Sequence, residues 1–467
     1  MAEIIKGLDK KDRNKLKKFA QMPLLTISSM ELKLLRYFIQ NVDKSDDETV
    51  FSKEAIQNKI FPNQVITSKS WNYLANHILE LVREFLLYNL VIKSMITRWF
   101  LLTKVILDHG WKKNYRSSLK KLQNLLEAPI NRDEHHHLFE YWTNKLIIGS
   151  AKSNRKLPDE MDKVNQALNS FYIENKLMVM TEMANRKQII QSKSSLPIWD
   201  NIIDSLESKQ FYNSIGIEIY FHLYKMMTEE SENHYNNVKE ALAENGKTFS
   251  IEYKKPIYHY LMNRCMAFIN QGKIEYAHDY LGFIDQMVRE KIILEGGEMP
   301  PPRLKNMVSA SLLVNKDNWA ENYVNSFSQF LPKSDRRSIT LFGQAQINFY
   351  RAEYRMALKK LNGFTFKDMY YRIAYEILLL KIYYELKDFD ALFKRAATFR
   401  KYLSREVKLS DRKKTAVRNF IKGLTDIVKY KGYDKQKTEE LTAYFEKEKI
   451  ITDREWLLSK VKKKGQR

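Results

Sequence analysis

Four short polar turns decide how this chain reads: Gln271-Gly272-Lys273-Ile274-Glu275-Tyr276-Ala277, Asn315-Lys316-Asp317-Asn318-Trp319-Ala320, Arg351-Ala352-Glu353-Tyr354-Arg355-Met356-Ala357 and Leu386-Lys387-Asp388-Phe389-Asp390-Ala391-Leu392. Each lies between two apolar stretches of helical length and spacing. Aligning Gly272, Asn315, Ala352 and Lys387 gives steps of 43, 37 and 35 residues. Five positions beyond these residues stand Ala277, Ala320, Ala357 and Leu392. A small residue at the start of a second helix lets it lie close to the first. Two positions beyond the turn residue come Ile274, Tyr354 and Phe389, expected to plug the gap between helices; the second unit has Asp317 there and its aromatic, Trp319, two residues later.

Helix–turn–helix units recurring every 34 residues or so are the pattern of tetratricopeptide arrays. The expected fold is therefore all-α: a right-handed helix-pair solenoid of degenerate tetratricopeptide-like repeats over 256–430, with an N-terminal compact helical domain. The longer first step absorbs a loop with Gly296-Gly297 and Pro300-Pro301-Pro302. Outward from the repeats, 431–467 is expected as a basic C-terminal helical tail. Residues 93–255 read as long paired helices, either continuing the solenoid or forming a bundle of their own. Polar breaks fall at Leu157-Pro158-Asp159, Ser192 to Pro197 and Glu244-Asn245-Gly246-Lys247.

Residues 1–92 read as the compact helical unit. Leu8, Leu16 and Phe19 share one helical face and Lys11, Lys15 and Lys18 another, Pro23 ending that helix. Ser28 or Ser29 can cap the next helix, and Thr67 or Ser68 a long one through Leu74, Ile78, Val82 and Phe85. The run of short helix, Phe61-Pro62, loop and long helix is similar to the helical core of winged-helix modules, although the long helix is mainly apolar with only Lys69 and Arg83 basic.

The segments Leu331-Pro332, Phe349-Tyr350-Arg351-Ala352-Glu353-Tyr354, Lys367-Asp368-Met369-Tyr370-Tyr371, Leu380 to Leu386 and Phe399-Arg400-Lys401-Tyr402-Leu403 together resemble an uncharacterised family of Bacteroidetes proteins with tetratricopeptide-like helical repeats in the C-terminal half. The basic first helix and the Phe61-Pro62 step before a helix ending Glu84-Phe85-Leu86 fit the same family. The resemblance is strongest over 8–92 and 310–430. It implies the fold and carries no activity.

Composition agrees with helices joined by short loops: 467 residues hold 14 Gly and 10 Pro, too few for the tight turns of an all-β chain. At 44% hydrophobic and 12% aromatic the chain can bury a core. Cys265 is the single cysteine, so no internal disulfide forms. The N-terminus turns polar at once, and the most apolar stretch, Phe85 to Leu107, is interrupted by Lys93, Arg98 and Lys104. No signal peptide and no membrane span are expected, and the expected location is cytoplasmic. The net charge of +23 is concentrated at the ends: 20 Lys or Arg against 10 Asp or Glu over 401–467, and 7 against 3 over 1–21.

Catalytic patterns are missing. Neither G-x-x-x-x-G-K-[ST] nor G-x-G-x-x-G occurs, so no cofactor is expected. No metal is expected either: His135-His136-His137 point about 100° apart on a helix, and there is no H-E-x-x-H. His135 and Phe139 are expected to face the core and the other two histidines solvent. Cys265, among Leu261, Met262, Met266 and Phe268, reads as a small buried hydrophobe. The chain thus reads as a non-enzymatic scaffold binding a peptide or helix of a protein partner. Tyr258, Asn263, Gln346, Tyr350, Tyr375 and Tyr383 are the candidate groove residues. The alternative is nucleic-acid binding through a basic patch of Lys11, Lys15, Lys18, Lys460, Lys462, Lys463 and Lys464, with the N-terminal unit as reader.

Overall fold

Side-chain oxygens start many of these helices, as the sequence anticipates. Asp9 accepts from the Asp12 amide at 2.6 Å, Ser28 and Glu31 form a capping box, and Ser52, Thr67, Ser94 and Ser250 each accept from a first-turn amide. The computed structural model describes residues 2–465 except 23, 24, 26, 43–47, 63–65, 129–131, 151–156, 190–202, 204, 205, 207–213, 230, 367, 430–434 and 449. The anticipated stop at Pro23 and the break at Ser192 to Pro197 lie outside the described residues. Among the described residues the chain is helical and has no strand, only two isolated bridges. Among the described residues no helix is long and apolar enough to cross a membrane.

The chain divides into two compact units. The first comprises Met1–Ala128 and Trp142–Leu157. It contains α1 (Ala2–Gly7), α2 (Lys10–Phe19), α3 (Ser29–Asn41), α4 (Lys53–Ile60), α5 (Ser68–Lys93), α6 (Met95–Asp108), α7 (Lys112–Glu127) and most of α8 (His136–Ser150). Leu16, Leu34, Leu35, Ile56, Val82 and Phe85 are buried at its centre. Asp12 is buried beside them and accepts from Lys93 at 2.7 Å, Lys15 at 3.1 Å and Asn89 at 3.2 Å. The Lys93 bond outweighs burial and holds its carboxyl down to about 2. The boundary expected at residue 92 falls inside α5; α6 and α7 belong with the helices before them.

The second unit comprises Pro129–Tyr141 and Pro158–Arg467, and takes the first turn of α8. It continues with α9 (Leu157–Ile189), α10 (Ile215–Glu229), α11 (Glu232–Asn245), α12 (Ile251–Asn270), α13 (Tyr276–Arg289), α14 (Pro301–Leu313) and α15 (Asp317–Phe327). Then come α16 (Arg336–Tyr350), α17 (Tyr354–Leu361), α18 (Met369–Glu385), α19 (Phe389–Arg405), α20 (Asp411–Lys429), α21 (Lys435–Lys447) and α22 (Arg454–Gly465). From α10 to α19 the helices pack in sequential pairs, and α14, α16 and α18 also lie side by side.

Gly272, Asn315, Ala352 and Lys387, the four turn residues aligned in the sequence, all adopt a left-handed backbone, with φ of 93°, 58°, 60° and 60°. Each lies just past the first helix of a pair, in a turn of five residues at Gly272 and three at the others. Ala277, Ala320, Ala357 and Leu392 have no exposed surface, so the second helix begins against the first. The anticipated plugs differ. Ile274 and Phe389 are 39% and 37% exposed, and only Tyr354 is half-buried. Rings on the helices themselves close the first gap, Phe268 lying 4.4 Å from Tyr276 between centroids. The C-terminal segment is built into the core: Leu441, Phe445, Leu457 and Val461 pack with Leu380, Leu403 and Phe420.

Candidate functional site

Because α14, α16 and α18 lie side by side, the helix faces turned away from their partners line a common groove of about 710 Å³. Its floor is apolar, with Phe342, Phe349, Ile373 and Ile377. Its far wall is the C-terminal segment Thr452 to Lys460. Arg454 fixes that wall by donating to the Gln271 carbonyl at 2.8 Å, across 183 residues of chain. Lys381 bonds Asp453 at 2.9 Å and lies 5.0 Å from the Trp456 ring centre. Lys460 pairs with Glu385 and also covers Trp456.

Two further lysines enter the groove without a bonded carboxylate; Asp453, near both and already engaged by Lys381, and Asp368, near Lys305, offset their burial only in part. Lys305 of α14 and Lys413 of α20 line it half-buried, and neither makes an ion pair or hydrogen bond through its ammonium among the described residues. Burial, reinforced by the charge of Lys413, pushes Lys305 down to about 8; burial also lowers Lys413. Tyr350 stands at the rim, 41% exposed, its hydroxyl donating to Asn315 at 2.8 Å. Gln346 donates to Ser309 at 2.9 Å, leaving its carbonyl oxygen buried without a partner.

Of the six groove residues named from the sequence, Gln346 and Tyr350 line this groove. Tyr258 and Tyr375 are core residues, 4% and 8% exposed, the Tyr375 hydroxyl donating to the Leu361 carbonyl at 3.1 Å. Tyr383 packs on the core, and Asn263 is exposed next to Asn185, at 3.2 Å. A tyrosine on a first helix has no signature in a single sequence for inward or outward placement. Lys305 and Lys413 were missed for a related reason: their isolation is a property of what surrounds them.

The basic residues named from the sequence do not act alike. Lys11 and Lys18 are exposed on α2, whereas Lys15 pairs with Asp12. Lys460 is paired in the groove, Lys464 donates to the Ile427 carbonyl at 2.7 Å, and Lys462 and Lys463 are exposed.

The histidine run also departs from expectation. Helix α8 begins at His136, so His135 precedes it in a turn and is exposed, while His136 and His137 are 4% and 9% exposed. Glu140 lies one turn on and faces both: His137 Nδ1 is 2.6 Å and His136 Nε2 3.2 Å from its carboxylate. His137 Nε2 is 3.2 Å from Glu174 of α9. Burial disfavours the charged form of His137, but its bonds to Glu140 and Glu174 prevail and raise it to about 9. Cys265 is fully buried 3.2 Å from the Tyr235 hydroxyl, and burial pushes its thiol up to about 12, unsuited to a nucleophile at neutral pH. Compared with protein-family models, curated proteins and solved structures, the chain matches none of them.

Proposed function

We propose that the chain is a non-catalytic binding protein whose tetratricopeptide-like half takes an extended, acidic segment of a protein partner into the groove of α14, α16 and α18. The observation that carries this reading is a pair of lysines, Lys305 and Lys413, that have no bonded carboxylate among the described residues and share a nearby Asp453 already engaged by Lys381, inside a groove floored by aromatic and aliphatic side chains. A desolvated cation with no carboxylate bonded to it is costly, and a partner carboxylate arriving between two such cations reduces that cost while forming charge-assisted bonds. The apolar floor suits a hydrophobic side chain flanking the carboxylate, and Tyr350 offers a rigid anchor at the rim. Lys381 and Lys460 already have acidic partners and serve the wall. Nucleic-acid binding draws less support, because Lys15, Lys460 and Lys464 are engaged within the protein.

The test is selection of a displayed random-peptide library on the full chain. Enriched peptides are expected to carry Asp or Glu beside an apolar residue. They are expected to bind Lys305→Gln/Lys413→Gln at least ~10-fold more weakly and Lys462→Gln/Lys463→Gln unchanged, a loss in keeping with a buried charge contact. Enrichment of peptides indifferent to Lys305 and Lys413 overturns the assignment.

A further inference from the structure

The start of α8 holds a second arrangement, remote in sequence from the groove helices and independent of the partner reading. His136, His137 and Glu140 each offer a ligand atom, and these atoms lie within 4.8 Å of one another. Positions i, i+1 and i+4 achieve this because Glu140 falls, in helical projection, between the directions of the two histidines. Among the described residues the Nδ1 of His136 has no hydrogen bond although the ring is nearly fully buried, and its Nε2 meets only Glu140, at 3.2 Å. A buried imidazole whose Nδ1 has no partner among the described residues calls for an explanation.

The surroundings supply a supporting shell. Glu174, itself 5% exposed, stands 3.2 Å from the far nitrogen of His137 and accepts from the Tyr253 hydroxyl. A carboxylate on the far nitrogen of an imidazole fixes its tautomer and leaves the near nitrogen free to coordinate. Gly216 at the start of α10 makes room, since a Cβ there would overlap the Glu174 carboxylate and the Tyr253 hydroxyl. The bridge between Arg132 and Phe249, with Arg132 N donating to Thr248 O at 2.8 Å, fixes the segment leading into α8 against the one leading into α12. Beside both histidines and Glu174 is a cavity of about 10 Å³, also lined by Asp133, Ser214 and Thr248, enough for one water. Arg132 lines the same cavity together with the carboxyl-bearing Asp133 and Glu174.

We propose that His136, His137 and Glu140 bind one divalent transition-metal ion of the zinc class, with Glu174 as the positioning carboxylate behind His137 and a water from the adjoining cavity as fourth ligand. Two imidazoles and one carboxylate form a ligand set that zinc accepts readily, and the N/O donors disfavour calcium or magnesium. The ion would fasten the first turn of α8 and displace the proton that His137 otherwise holds between two carboxylates.

The test uses the full chain, freed of any affinity tag, stripped with chelator and titrated separately with Zn²⁺ and Co²⁺. The expected result is one ion per chain after gel filtration, visible d–d bands of low-symmetry Co²⁺, and a rise in Tm with Zn²⁺. His136→Ala and Glu140→Gln are expected to abolish all three, Glu174→Gln to weaken binding ~10- to 100-fold. His222→Ala, in the other close histidine pair (Nδ1 of His222 and His234 are 2.8 Å apart), is expected to leave binding unchanged. Circular dichroism of each metal-free variant separates lost binding from lost folding; Glu140→Gln keeps the shape of the side chain. Absence of stoichiometric uptake, or uptake that survives Glu140→Gln and is lost in His222→Ala, overturns the proposal and leaves the cluster an ion-pair network.

Discussion

At Ala352 and Lys387 the backbone is left-handed at a residue with a Cβ, a conformation costing roughly 1–2 kcal/mol, whereas Gly272 meets the same demand freely. Ala352 is exposed, so Ala352→Gly removes strain without losing packing and is expected to stabilise the protein by about 0.5–1 kcal/mol in a denaturant titration. The same exchange at buried Ala357, inside α17, is expected to destabilise it. The groove lysines obey a different balance. Lys305 titrates at about 8 in the folded chain against an ordinary 10.5. Below 8 both states carry the proton and the burial penalty is full; between these values the folded chain sheds it first, and stability rises with pH. Lys305→Met is therefore expected to be more stable than wild type by roughly 1–2 kcal/mol at pH 7, with the gap closing as pH climbs towards 10.5. Asp12 has the opposite sign. Its carboxyl is held at about 2, so its contribution is present above the ordinary carboxylate range and lost as pH falls towards 2. Asp12→Asn is expected to cost about 1 kcal/mol near neutrality, a modest figure because Lys93 and Lys15 reach solvent, and almost nothing in acid.

At the scale of helices, the paired organisation was legible because it is local. A turn residue, a small residue five places on and two apolar faces all lie within one short segment, and Asn315, Ala352 and Lys387 could be aligned with Gly272 without sharing its identity. Ala320 shows how tightly the second helices are set: fully buried, it packs with Val308, Val324 and Ile347. Ala320→Leu is expected to destabilise the chain by about 1–3 kcal/mol through overpacking, measurable as a lowered denaturation midpoint at unchanged slope. What the sequence concealed depends on helices meeting across long separations. Composition marked α22 as a basic tail, yet Leu457, Leu458 and Val461 alternate with its lysines and enter the core. The adjacent histidines were expected to diverge, with His135 turned inward. The helix begins one residue later, at His136, and Glu140, one turn on, faces both rings.

At the scale of the molecule, the two units are interleaved in sequence, with the chain passing between them at 128, 141 and 157. Composition does not mark such crossings, which is why the sequence reads as consecutive segments divided at 92, 255 and 430. The C-terminal helices belong to the second unit's core, so deletion of 431–467 is expected to cause a large drop in Tm and exposure of apolar surface to dye, where removal of a solvated tail would do neither. The groove is a property of the whole second unit: its floor comes from three helix pairs and its wall from the far end of the chain. Its role is tested most directly by a calorimetric double-mutant cycle. A selected acidic peptide and its amide counterpart, Asp→Asn or Glu→Gln, are each titrated into wild type and into Lys305→Gln/Lys413→Gln. If the carboxylate sits between these lysines, the two losses overlap and the cycle gives a coupling of at least about 1 kcal/mol. Additive losses, with no coupling, would place the carboxylate elsewhere and contradict the groove as the partner site.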